Sequence, residues 1–135
     1  MKLENQYGLV VLALLVAGVL PLVCAAIAKW GFRSYDNSNP RAWLAGQEGF
    51  RARANAAQLN SLEAFPFFAV GVLLAIWAGT EVGLLVRLSW FFIACRVAYI
   101  CCYVTDKATL RSLIWALGFS SVIGLYIAAF QGVSA

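Results

Sequence analysis

No histidine occurs among the 135 residues. That removes the most frequent general base and the commonest ligand of transition metals. Charge is scarce as well, at 12% of the chain, about half the share of an ordinary soluble domain. The four cysteines form no CxxC pair, Cys101 and Cys102 point different ways on a helix, and all four fall in apolar blocks with Cys24 and Cys95. They read as buried structural thiols rather than as a redox or metal centre. No glycine-rich phosphate loop and no internal repeat is visible. The net charge of +4 is no sign of a nucleic-acid partner, because the basic residues sit in loops between hydrophobic blocks.

Hydrophobic residues make up 63% of the chain and gather into long runs. Four blocks, approximately residues 7–28, 54–78, 84–104 and 112–133, each approach the ~20 residues that cross a bilayer core. Helices are the form in which such runs satisfy their own backbone. Pro21 is a candidate kink in the first block. The length of that block and the absence of a small-residue cleavage pattern argue against a signal peptide. The expectation is one all-α membrane domain, residues 1–135, built as a bundle of four transmembrane helices.

Lysine and arginine counts set the orientation. Loop 29–53 and the connection between blocks three and four hold seven: Lys29, Arg33, Arg41, Arg51, Arg53, Lys107 and Arg111. The opposite side holds two, Lys2 and Arg87. Both basic loops are therefore expected in the cytoplasm and both termini outside. Trp30, Trp77 and Trp90 are expected near helix ends, as interfacial aromatics. In the first loop, Asn39 and Pro40 suit the cap and first position of a short helix, with Gly46 as its stop. Trp43, Leu44 and Phe50 give that loop an apolar side, either an interfacial foot or a cap over a site.

Polar residues inside apolar blocks mark candidate function. Arg53, Asn60 and Glu63 share one helix face, continued by Phe67, while Gln58 and Ser61 project elsewhere. In the third block Arg96, Tyr99 and Tyr103 repeat the pattern. Glu63 and Arg96 lie at similar depth, roughly 12–14 Å from the basic end at ~1.5 Å per residue. An ion pair between them is expected, because neither charge is stable alone in hydrocarbon. The pair is either a structural tie or the floor of a polar pocket walled by Arg53, Asn60, Tyr99 and Tyr103. Small residues at Gly71, Ala75 and Gly79, and at Gly118, Ser121 and Gly124, are expected to let helices approach closely in assembly.

The run Ala57-Gln-Leu-Asn60-Ser-Leu-Glu63-Ala-Phe-Pro66-Phe67 resembles the signature of the MAPEG family, the membrane-associated proteins in eicosanoid and glutathione metabolism. Members typically read Arg-Ala-His-x-Asn-x-x-Glu and then Pro-Phe. Arg96-x-x-Tyr99-x-x-x-Tyr103, followed by Arg111, resembles the third-helix region of the family. The resemblance covers nearly the whole chain and looks like a bacterial branch. It implies a homotrimer in a bacterial inner membrane, with glutathione as co-substrate bound near the cytoplasmic side. Residue by residue, it implies that Arg53, Asn60, Glu63, Arg96, Tyr99 and Tyr103 bind glutathione. Arg111, one position off the family's thiol-activating arginine, and Tyr103 would be catalytic. Ala56, Gln58 and Leu59 stand where members carry Arg, His and, in some, a further basic residue.

Three functions follow from these readings. The first is a microsomal-type glutathione transferase or peroxidase acting on a hydrophobic electrophile or lipid hydroperoxide. The second is a non-catalytic lipid-binding scaffold. The third, a small multidrug transporter, is disfavoured because such proteins place their carboxylate in the first helix and this one has none there. The expected partners are lipid, a hydrophobic small molecule and further copies of the chain, with no metal and no nucleic acid.

Overall fold

A computed structural model describes residues 3–31 and 35–134. It contains α1 (Leu3–Lys29), α2 (Pro40–Ala45), α3 (Gly49–Trp77), α4 (Val82–Val104) and α5 (Ala108–Ser134). Lys2 and Arg33, two of the basic residues in the charge balance, lie outside the described residues. The four long helices are each long and apolar enough to cross a membrane. Their outward faces carry large apolar side chains such as Leu15, Leu22, Leu73, Leu113 and Phe130. In water that surface would drive aggregation. In a bilayer it meets hydrocarbon of its own polarity, so helix association rests on close packing and interhelical hydrogen bonds.

The long helices run up and down. Both α1 and α5 pack against α3 and α4, which also touch each other across the middle of the bundle. The end of α1, the start of α3, the end of α4 and the start of α5 therefore share one end, the basic end. Pro21 lies inside α1 and Pro66 inside α3. Each deprives the carbonyl one turn back of its helical N–H, a loss that membrane helices tolerate when neighbours stabilise them.

Connections follow local chemistry. In α2, Asn39 is the cap residue, Pro40 opens the helix and Gly46 ends it, as the residue types require. Asp36 precedes it and accepts hydrogen bonds from the Ser38 backbone N–H and hydroxyl. Those bonds favour its carboxylate and hold its pKa below the usual value. Tyr35 and Trp43 meet edge to face at 5.2 Å, so Trp43 packs within its own loop. The α3–α4 turn uses Gly79 at φ +74°, a conformation that glycine enters without steric cost. The Glu81 carboxylate then caps α4, accepting from the Gly83 and Leu84 N–H groups at 2.7 Å each.

All four long helices begin earlier than the hydropathy blocks: α1 at Leu3 rather than 7, α3 at Gly49 rather than 54, α4 at Val82 rather than 84 and α5 at Ala108 rather than 112. Hydropathy ends where charge begins, but a helix does not. Arg51 donates to the Trp30 carbonyl at 2.9 Å, which ties the polar first turns of α3 to the end of α1.

The small residues let helices approach closely, as expected, and the approaches seen lie within the subunit. A Cβ added to Gly71 would lie 2.9 Å from the Tyr126 ring, and one added to Gly118 would lie 3.1 Å from the Cys95 Cβ. Gly124 faces Leu88, and Ala75 and Ser121 are buried. These positions seat α5 against α3 and α4 within one subunit, and Gly79 makes a turn rather than a contact surface. Trp90 also departs from expectation. It sits well inside α4 and donates its indole N–H to the Leu9 carbonyl of α1 at 3.2 Å. Of the cysteines, Cys24, Cys95 and Cys102 are buried, but Cys101 is exposed on the outer face, which corrects the reading of all four as buried.

Candidate functional site

Arg96 is the deepest charge in the bundle, with 4% of its surface exposed. Its guanidinium donates to Asn60 Oδ1 at 3.0 Å and to Ser61 Oγ at 2.9 Å. One face of the guanidinium lies over the Tyr99 ring, 4.3 Å from its centroid. A buried cation needs either a counter-charge or several well-placed dipoles. Here the dipoles of two α3 side chains and the quadrupole of a ring do that work.

The expected Glu63–Arg96 ion pair is absent among the described residues, where the ion pairs are Arg53–Asp106 and Arg87–Glu81. The reason is local. Asn60 and Ser61, the first two residues of the Asn-x-x-Glu unit, meet the guanidinium directly, and Glu63 stays exposed at the rim of the neighbouring cavity. Ser61 thus faces inward, contrary to the reading from spacing. It takes part because its hydroxyl, while donating to the Ala57 carbonyl at 2.8 Å, still has a lone pair for Arg96.

From Arg96 a ladder of two rings, with a cation at each end, climbs toward the basic end. Tyr99 meets Tyr103 edge to face at 5.5 Å, and Arg111 lies 4.2 Å over the Tyr103 ring. The spacing of Arg96, Tyr99 and Tyr103 by three and four residues makes this possible on α4, and the short turn after α4 brings Arg111 back on α5. Arg53 stands apart from the ladder. It donates to the Val104 carbonyl at 3.1 Å and pairs with Asp106 at 3.9 Å. That closes the end of α4 and holds Asp106 at φ +63°, a left-handed conformation that aspartate tolerates better than most residues.

Beside the ladder, a cavity of about 230 Å³ lies between α3, α4 and α5. Asn60, Glu63, Arg96 and Tyr99 form its polar wall, and Phe67, Phe92, Trp115 and Phe119 its apolar one. The rings of Trp115, Phe119 and Phe67 stack at 5.2 and 5.8 Å. A second, polar hollow of about 240 Å³ shares Asn60, Tyr99 and Trp115 with it and adds Arg111 and Ser112. The two hollows adjoin at these shared residues, with the Arg111 guanidinium lining one and the stacked rings the other. Four candidate residues from the sequence, Asn60, Glu63, Arg96 and Tyr99, meet at this wall. Arg111 lines the polar hollow, Tyr103 supports it, and Arg53 does not reach it.

From the α5 side of this space sequence reasoning named Arg111 alone for the site and passed over the rings and small residues that follow it. The signal was available, because Arg111, Trp115, Gly118 and Val122 follow one another by four, three and four residues and so share a face. No group of metal-ligating side chains occurs among the described residues.

The MAPEG family pattern matches residues 9–131, nearly the full length of the bundle. The chain belongs to the MAPEG family. Comparison with curated proteins gives no match. As a MAPEG protein with four membrane-crossing helices, it is an integral membrane protein. Membership fits eicosanoid or glutathione-related metabolism in general. The MAPEG match also takes in every residue of the Arg96–Tyr99–Tyr103–Arg111 ladder and of the cavity wall.

Proposed function

We propose that this MAPEG protein binds glutathione in the space between α3, α4 and α5 and presents its thiol to a hydrophobic acceptor. The observation that carries the reading is Arg111, a guanidinium held over Tyr103 and lining a polar hollow that adjoins one lined with stacked rings. A free thiol with pKa ~8.5 is mostly protonated at neutral pH, and a nearby guanidinium favours the thiolate. The thiolate then attacks an electrophilic carbon, forming a C–S bond as the leaving group departs. With a lipid hydroperoxide it takes the terminal oxygen, and a second glutathione completes the reduction to alcohol, water and disulfide. Asn60 and Glu63 hold polar groups of the tripeptide, and Tyr103 supports Arg111. No imidazole is needed. The active form is a homotrimer in a bacterial inner membrane, with the basic end in the cytoplasm and the termini periplasmic.

A second reading, a lipid-binding scaffold without turnover, is favoured by one specific observation. Arg53 and Arg96 are both committed to contacts inside the subunit, and Ala56 and Gln58 replace the motif's Arg and His. Arg111 is then the chief open cation of the site. Titration of the purified protein with glutathione, followed by thiolate ultraviolet absorbance, separates the readings. Thiolate formation that is lost in Arg111→Ala supports the enzyme. Glutathione binding without thiolate indicates a site that no longer turns over. No binding at millimolar glutathione, with lipid copurifying in the groove, leaves the scaffold.

A further inference from the structure

The partners of Arg96 have a consequence for how the site reads a ligand. A guanidinium carries donors only, so Asn60 must turn its carbonyl oxygen toward Arg96, as the 3.0 Å contact to Oδ1 records. The reverse orientation would set two donor groups face to face. Once Oδ1 is engaged, the amide N–H edge is left for the space that Asn60 lines. The polarity of Asn60 is therefore decided by Arg96.

Arg96 in turn is fixed on three sides. Asn60 and Ser61 receive its two terminal nitrogens, and the Tyr99 ring covers one face. Ser61 is 4% exposed and donates its own proton to the Ala57 carbonyl at 2.8 Å, so it meets Arg96 as an acceptor. Ala57 is fully buried in the cluster that also holds Leu20, Cys24, Tyr99 and Ile100, and the hydroxyl is thereby anchored to rigid backbone. Without it, one nitrogen of the guanidinium loses its partner, and the plane is free to turn about the bond to Asn60.

We propose that Ser61 is a positioning residue, holding Arg96 so that Arg96 presents the Asn60 amide to the cavity as a hydrogen-bond donor for a carbonyl or carboxylate of the ligand. Ser61 does not line that cavity, and Arg96, which does, acts in this relay through Asn60. The proposal rests on the glutathione reading for the identity of the ligand, but the relay from Ser61 to Asn60 does not depend on it.

Two readouts on the full chain in lipid nanodiscs test it. The first is the side-chain amide NMR resonance of Asn60 in the absence of ligand, assigned through its loss in Asn60→Asp. The second is glutathione affinity. Ser61→Ala is expected to shift the resonance and weaken glutathione binding about tenfold, and Ser61→Thr, which restores the hydroxyl, to recover both. If Ser61→Ala does not fold, Ser61→Cys, with its weak acceptor, carries the same comparison. A wild type that binds no glutathione, but whose Asn60 resonance moves with Ser61, overturns the glutathione reading and supports the relay. An Asn60 resonance unmoved by Ser61→Ala or Ser61→Cys overturns the proposal, whatever the affinity does. So does a loss of affinity that Ser61→Thr fails to restore.

Discussion

Buried polar side chains in a membrane bundle are expensive to strand. Arg96→Lys keeps the charge but cannot reach Asn60, Ser61 and the Tyr99 face together, because an ammonium lacks the planar fork. It should lower stability by about 1.5–3 kcal/mol, read as a fall in melting temperature in mild detergent. Glu63→Gln should behave differently. Glu63 is exposed and makes no ion pair with Arg96, so stability should move by no more than about 0.5 kcal/mol, while glutathione affinity drops. A large stability loss in Glu63→Gln would mean that the carboxylate has a structural partner after all, for example in a neighbouring subunit. The sequence made Arg96 and Glu63 visible as costly charges, yet not which neighbour each would choose. Side-chain reach and direction decide that, and Ser61, one residue from Asn60, won the contact that spacing alone assigned to Glu63.

Helices α3, α4 and α5 are held by a few close approaches. Gly71→Val should destabilise the bundle by about 1–3 kcal/mol, because the new side chain drives into Tyr126, itself stacked on Phe67 at 4.8 Å. The α4–α5 turn offers a second contrast. Asp106→Asn keeps a residue that tolerates φ +63° and loses only a half-exposed ion pair, worth no more than about 1 kcal/mol. Asp106→Val adds a β-branched side chain where such residues are outliers and should lower stability further, by about 1–2 kcal/mol. Equal melting temperatures for the two variants would remove strain from the account. Four long helices were legible from hydropathy, as was the short helix behind Asn39 and Pro40. Their true starts were not, because the polar turns of α3 around Arg51 and Arg53 are stabilised by contacts with Trp30 and Val104 that no hydropathy window senses. The aromatic wall of Trp115 and Phe119 was hidden for another reason: in an apolar helix every ring resembles a lipid contact until its neighbours are placed.

At the scale of the whole molecule, the close approaches at Gly71 and Gly118 lie within one subunit, and the proposed trimer is tested separately. Native mass measurement in lipid should give three copies, and a monomer in both detergent and lipid would count against the assembly. A reporter fused to the C-terminus should behave as periplasmic, and a cytoplasmic signal would reverse the orientation. One further consequence follows from the walls of the cavity. They contain no imidazole, the side chain whose ordinary titration falls between about pH 5 and 8. The walls do hold a carboxylate, Glu63, and a thiol, Cys95. A pH profile of binding or turnover that Glu63→Gln and Cys95→Ala both leave unmoved is then a titration curve of the guest, in which the protonation of the bound sulfur is read without interference from its host.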